Sequence, residues 1–245
     1  MLIPQKNLSL LGFLITISFL TSPTIVANAS LRQAYNPPPP DRRIAQRRTL
    51  GSGSRSNCPN SWAEGSLTLF IPETEVIHQT ASNRPTFYVH AQNSSPTPLT
   101  FNLVSPDDYS GIPLVEKSLV IEKGINKITL PEKVELETDK VYLWQIGVPC
   151  NSLDEFNDED RLNASREAPI GSTRPQTFTQ VIRGAVKRVN LSTSVKKELE
   201  TANSPLEKAQ IYANRGIWYD ALNSAYKEPN YFEQLLQEAD INIDR

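Results

Sequence analysis

Between Cys58 and about Asn190 the chain falls into short stretches of β-branched and aromatic residues, each closed by a turn signal. Residues 66–71, 86–91, 99–105, 114–122, 126–130, 141–148 and 177–189 read as strands. Asn83-Arg84-Pro85, Ser94-Ser95-Pro96, Ser105-Pro106-Asp107-Asp108 and Lys123-Gly124 separate them. Proline cannot donate to a strand ladder and glycine weakens one, so these clusters end strands instead of extending them. Seven short strands at hairpin-like spacing predict a mainly β domain over residues 58–190, an immunoglobulin-like antiparallel β-sandwich. Side chains alternate along a strand, which makes Tyr142, Trp144, Ile146 and Val148 the expected core face of residues 141–148. Thr138-Asp139-Lys140 feeds Tyr142 as a turn entering a strand, the setting of a tyrosine corner.

After Asn190 the period changes, and residues 191–245 read as a helical region packed on the sandwich. Ser204-Pro205-Leu206-Glu207 combines a capping serine, proline at the first helical position and glutamate at the third. Leu206, Ala209 and Ala213, then Ile217, Ala221, Leu222 and Ala225, recur at helical spacing on either side of Arg215-Gly216. This predicts an α-hairpin, with a third short helix over residues 231–239 after Pro229. Tyr212, Gly216, Asp220-Ala221-Leu222 and Pro229-Asn230 together are similar to a single tetratricopeptide unit. Such units stand alone only in multiple copies, so one unit is expected to bury its face on the sandwich.

Residues 1–29 supply Lys6, an apolar run from Leu8 to Leu20, Pro23 and the ending Ala27-Asn28-Ala29, the plan of a signal peptide cut near Ala29. Its thirteen-residue apolar run falls short of the roughly 20 residues that span a bilayer as a helix. The expected location is therefore periplasmic or extracellular, with no transmembrane segment in the mature chain. In that oxidising setting Cys58 and Cys150, the only cysteines, are expected to form a disulfide. Closing a loop of this size is worth about 4 to 5 kcal/mol in chain-entropy terms. A redox pair would want Cys-x-x-Cys spacing and a metal site further His or Cys ligands, and the chain has neither.

Residues 30–57 read as a disordered linker, with prolines at Pro37 to Pro40 and the flexible Gly51-Ser52-Gly53-Ser54. From residue 31 to 57 the net charge is +5, and from Cys58 onward it is −8. Arg42, Arg43, Arg47 and Arg48 are candidate contacts to an anionic surface such as lipid headgroups, acidic wall polymer or an acidic partner. Nucleic acid is not expected in this compartment.

Catalytic material is thin. His78 and His90 are the only histidines and read as polar surface positions. No nucleophile elbow, zinc-protease helix, phosphate loop or dinucleotide fingerprint is present. Ser194-Val195-Lys196-Lys197 matches Ser-x-x-Lys but lacks the accompanying motifs, and reads as a polar helix start. Asp154, Glu155, Asp158, Glu159 and Asp160 lack the glycine and terminal glutamate of an EF-hand loop and read as solvated. No catalytic residue, cofactor or metal is therefore assigned. The remaining candidates are Trp62, Trp218, Tyr219 and Asp220, either stacking on a ligand or packing a domain interface.

Arg84-Pro85-Thr86-Phe87, Tyr142-Leu143-Trp144 before Cys150, Gly184 with Arg188-Val189, and Ala213 through Gly216-Ile217-Trp218-Tyr219-Asp220-Ala221-Leu222 carry one further signal. With the Arg/Gly-rich approach to Cys58, they resemble a cyanobacterial family catalogued as domain of unknown function 928, over about Arg47 to Gln237. The resemblance implies export and a β-plus-helical layout, and brings no known activity. The expected function is an exported, non-catalytic binding or adaptor module whose partner is an envelope protein or polysaccharide. The alternatives are a carboxylate-dependent enzyme acting on cell wall or polysaccharide, and a structural envelope component.

Overall fold

The computed structural model describes residues 34–39, 66–72, 76–105, 112–149 and 178–243. The leader, Cys58, Cys150, Trp62, Arg42, Arg43, Arg47, Arg48 and the acidic run from Asp154 to Asp160 lie outside them. The strands are β1 (Leu67–Leu69), β2 (His78–Thr80), β3 (Thr86–Ala91), β4 (Leu99–Val104), β5 (Val115–Leu119), β6 (Gly124–Thr129), β7 (Val141–Pro149) and β8 (Phe178–Arg188). They form two sheets, β1-β3-β6 and β2-β8-β7-β4-β5. The orders A-B-E and G-F-C-C′ of an immunoglobulin-like sandwich are reproduced by β1-β3-β6 and β8-β7-β4-β5.

Alternation sets the core. Tyr142, Trp144 and Ile146 of β7 are buried, and so are Phe87 and Val89 of β3 and Leu99, Phe101 and Leu103 of β4. The ring of Phe87 lies 4.8 Å from that of Trp144 and 5.6 Å from that of Phe101. Trp144 pairs in register with Gly184 of β8, where a Cβ would stand 2.7 Å from the indole and 2.3 Å from Ile71. Glycine is therefore required at 184 by the volume of Trp144. The Tyr142 hydroxyl accepts the Glu137 N–H at 2.9 Å, which completes the tyrosine corner before β7.

One strand departs from the antiparallel expectation. The chain leaves the first sheet after β1 and joins the second as β2, which pairs parallel to β8. At three residues β2 is too short to show alternation, and its His78-Gln79-Thr80 sequence carries no strand signature beyond Thr80. His78 is consequently an interior residue, fully buried, and not the polar surface position its sequence neighbourhood suggests.

Four helices follow: α1 (Thr193–Thr201), α2 (Pro205–Asn214), α3 (Trp218–Ala225) and α4 (Pro229–Glu238). The Ser204 hydroxyl accepts the Glu207 N–H at 3.1 Å, while the Glu207 carboxylate reaches back to the Asn203 N–H at 2.6 Å. This is a capping box displaced by one residue at its return arm. At the far end of α2, Gly216 takes φ +74°, its N–H donates to the Ala213 carbonyl and the Ile217 N–H to the Tyr212 carbonyl. That Schellman ending turns the chain directly into α3.

Residues 34–39, assigned by composition to a linker, pack against this tail. Ala34 and Tyr35 are buried, both their N–H groups donate to the Glu238 carboxylate, and the Asn36 N–H donates to the Ala213 carbonyl at 3.0 Å. A Cβ at Gly216 would lie 2.9 Å from the Asn36 carbonyl oxygen, so the same glycine that ends α2 admits this segment. An aromatic at 35 gives the short segment enough apolar area to dock. The Tyr35 hydroxyl donates to His78 Nδ1 at 2.8 Å. Tyr35→Phe removes this donor to the buried imidazole and is expected to cost about 1 to 3 kcal/mol in chemical denaturation. Unchanged stability would mean that the Tyr35–His78 hydrogen bond contributes nothing to the fold.

Candidate functional site

Trp218, Tyr219 and Asp220 form the first turn of α3, and successive residues of a helix point about 100° apart. The three side chains therefore enter three different environments. Trp218 is fully buried; its indole N–H donates to the Phe70 carbonyl at 2.8 Å and its ring meets Tyr35 edge-on at 4.8 Å. Tyr219 runs toward the space between the sheets, 5.5 Å from the Phe87 ring. Its hydroxyl accepts the Trp144 indole N–H at 3.0 Å and donates to the Ala185 carbonyl at 2.8 Å. Asp220 turns to the end of β2, where one carboxylate oxygen accepts the Thr80 hydroxyl at 2.7 Å and the Ala81 N–H at 2.9 Å.

These residues hold the tail to the sandwich, and the indole and phenol faces are covered by protein. A buried tryptophan of this size is worth about 3 to 5 kcal/mol against alanine. His78 belongs to the same joint. The Pro72 carbonyl can only accept, so Nε2 carries the proton and donates to it at 3.3 Å, leaving Nδ1 to accept from Tyr35. Burial pushes the Tyr35 and Tyr219 phenols far above their ordinary range, which keeps both as donors. Both nitrogens of the buried histidine and the Asp220 carboxylate are thus engaged in structural hydrogen bonds.

On the outer side of the joint the tail meets β6 in a cleft of about 370 Å³. Lys127 of β6, Lys208 of α2 and Lys227 after α3 converge on it. The Lys127 ammonium sits 3.4 Å from the Tyr226 ring centroid, a cation–π contact that fixes it at the rim. Partial burial first, and the neighbouring Lys227 charge second, lower the Lys127 proton affinity. On β3, in register with Lys127, Tyr88 donates its hydroxyl hydrogen to Asn223 Oδ1 at 2.9 Å. Burial and the Tyr226 hydroxyl raise the Tyr88 phenol, so it stays a donor and the Asn223 NH₂ is left for the cleft. Among the described lining residues there is no carboxylate and no histidine.

Residues 50–239 match the family model described as Domain of Unknown Function (DUF928). The chain belongs to this family. No curated protein and no solved structure matches the chain. Within the matched span, the stretch from Ala213 to Leu222 is the joint itself: Gly216 sets the turn, and Trp218, Tyr219 and Asp220 make its three anchors. Of the sequence candidates, Trp218, Tyr219 and Asp220 are brought together, while Trp62, Cys58, Cys150 and the four arginines lie outside the described residues. Sequence reasoning missed Tyr35, His78 and Thr80, and it missed the lysine cleft. Thr80 and His78 sit on the strand too short to read, and Lys127 lies 81 residues before Lys208, so no local pattern joins them.

Enclosure raises the Asp220 carboxyl above the usual carboxylate range, outweighing the Thr80 and Ala81 hydrogen bonds that pull it down. The folded state therefore binds this proton more tightly than the unfolded chain. Its contribution to stability is full below the ordinary aspartate pKa and is lost as pH rises through the raised value. Asp220→Asn should remove this part of the decline, giving a flatter melting-temperature profile over that interval. Parallel profiles for the two proteins would contradict it.

Proposed function

We propose that this DUF928 protein is an exported, non-catalytic binding or adaptor module of the cell envelope. The leader sequence supports export, periplasmic or extracellular location and the oxidised Cys58–Cys150 pair. Among the described residues no helix is long and apolar enough to cross a membrane. The observation that carries the reading is the contrast between the two sides of the joint. Inside, Trp218, Tyr219, Asp220 and His78 are consumed in packing and hydrogen bonds; outside, a concave cleft presents ammonium and amide donors to solvent. Binding sites are typically concave and use a few convergent polar groups to orient a ligand. A catalytic site would instead need an acid, base or nucleophile with a free partner.

Crosslinking in the native envelope followed by recovery of the protein should return it bound to one envelope protein or polysaccharide. Recovery of the protein alone would contradict the proposal. So would release of sugar from purified wall material that is lost on replacing a single Asp or Glu.

A further inference from the structure

The three lysines of the cleft are unusual for this chain. From Cys58 onward the net charge is −8, yet Lys127, Lys208 and Lys227 converge on one concavity. None of the three has a carboxylate partner within ion-pair distance among the described residues. Glu207, next to Lys208, gives an oxygen to the Asn203 N–H in the capping box, and neither it nor Glu228, next to Lys227, is among the described lining residues of the cleft. Like charges gathered on one concave surface repel one another, and a bound anion relieves that repulsion.

The neutral lining points in the same direction. Asn223 offers its NH₂ because its oxygen is taken by Tyr88, and the Ser204 hydroxyl offers its hydrogen because its oxygen accepts from Glu207. Both groups thus add donors to the three ammonium groups of the cleft. At about 370 Å³ it exceeds what a single oxyanion fills and lies within the ~300–1,000 Å³ range of small-molecule sites. Among its described lining residues there is no leucine, isoleucine, valine or phenylalanine to anchor a peptide side chain or an acyl chain. The aromatic among its described lining residues, Tyr226, holds the Lys127 ammonium against its ring. Hydroxyl and amide donors beside a cationic corner are the complement of a polyhydroxylated ring that bears a carboxylate.

We propose that the cleft between β6, the α1–α2 turn and the end of α3 binds an acidic sugar unit of a polysaccharide. Its carboxylate sits among Lys127, Lys208 and Lys227, and its hydroxyls accept from Asn223 and Ser204. This rests on the binding-module reading above and names the ligand class.

The test uses the mature protein in calorimetric titration against a galacturonate trimer, a glucose trimer and inorganic phosphate. The galacturonate trimer should bind, weaken as salt is raised, and exceed both other probes by at least about tenfold in affinity. The combined Lys127→Gln, Lys208→Gln and Lys227→Gln variant should lose at least about tenfold. A Lys196→Gln and Lys197→Gln control on α1 should bind as the parent does. Should the combined variant melt early, Lys208→Gln alone, on an exposed position, is expected to weaken binding in the same direction. Absence of galacturonate binding, undiminished binding by the lysine variants, or phosphate binding as tight as the sugar acid would each overturn the proposal. A crosslinked envelope protein recovered alongside such a failure would leave the module reading standing, whereas cleavage of the trimer would overturn that reading instead.

Discussion

The hydroxyl of Tyr219 joins the two halves of this protein. It accepts from the indole of Trp144 at 3.0 Å and donates to the backbone carbonyl of Ala185 at 2.8 Å, so one atom of α3 satisfies two adjacent strands of the larger sheet. Both partners are buried, and a buried indole N–H without an acceptor costs about 1 to 3 kcal/mol. The strand geometry is arranged around this contact. Trp144 occupies its rotamer only because Gly184 stands opposite, and Phe87 of the smaller sheet closes against both the indole and the Tyr219 ring. The helical tail is therefore part of the sandwich core and not an appendage to it.

The remaining anchors distribute the same joint over the chain. Trp218 reaches the Phe70 carbonyl just after β1, Asp220 reaches Thr80 and Ala81 at the end of β2, and Tyr35 with His78 ties the N-terminal segment to both. These contacts close at the place where the chain crosses from one sheet to the other. A three-residue strand such as β2 has little stability of its own, and its hydrogen bonds to α3 supply what its length does not. The inward surface of α3 is committed to this task, and Lys127, Lys208 and Lys227 gather on the outer rim, the place of the proposed ligand site.

Much of the fold was legible because it rests on local patterns. Alternation around Trp144, the turn before Tyr142 and the Ser204-to-Glu207 cap each act within a few residues, and each predicted element appears in its place. What escaped depends on contacts distant in sequence. His78 looked like a surface residue because β2 is too short to show alternation and its sequence lies near a turn; its partners include Tyr35, 43 residues away, and the ring of Trp218. Residues 34–39 carry the prolines of a linker, and they dock because Gly216 leaves room for their backbone. The lysine cleft is drawn from β6, α2 and the end of α3, and only the closed joint assembles it. Trp218, Tyr219 and Asp220 were readable as a group, but the choice between a stacking surface and a packed interior needed the direction of the α3 axis.

The central claim is that the tail and the sandwich form one cooperative unit through Tyr219. Native-state hydrogen exchange tests it most directly, by comparing the opening free energies of the Ala221 and Leu222 amides in α3 with those of Trp144 and Ile146 in β7. The account predicts that all four open together, at the global free energy of unfolding. Exchange of the α3 amides at a much lower free energy, with β7 still protected, would show that the tail is only a satellite of the sandwich and would contradict it.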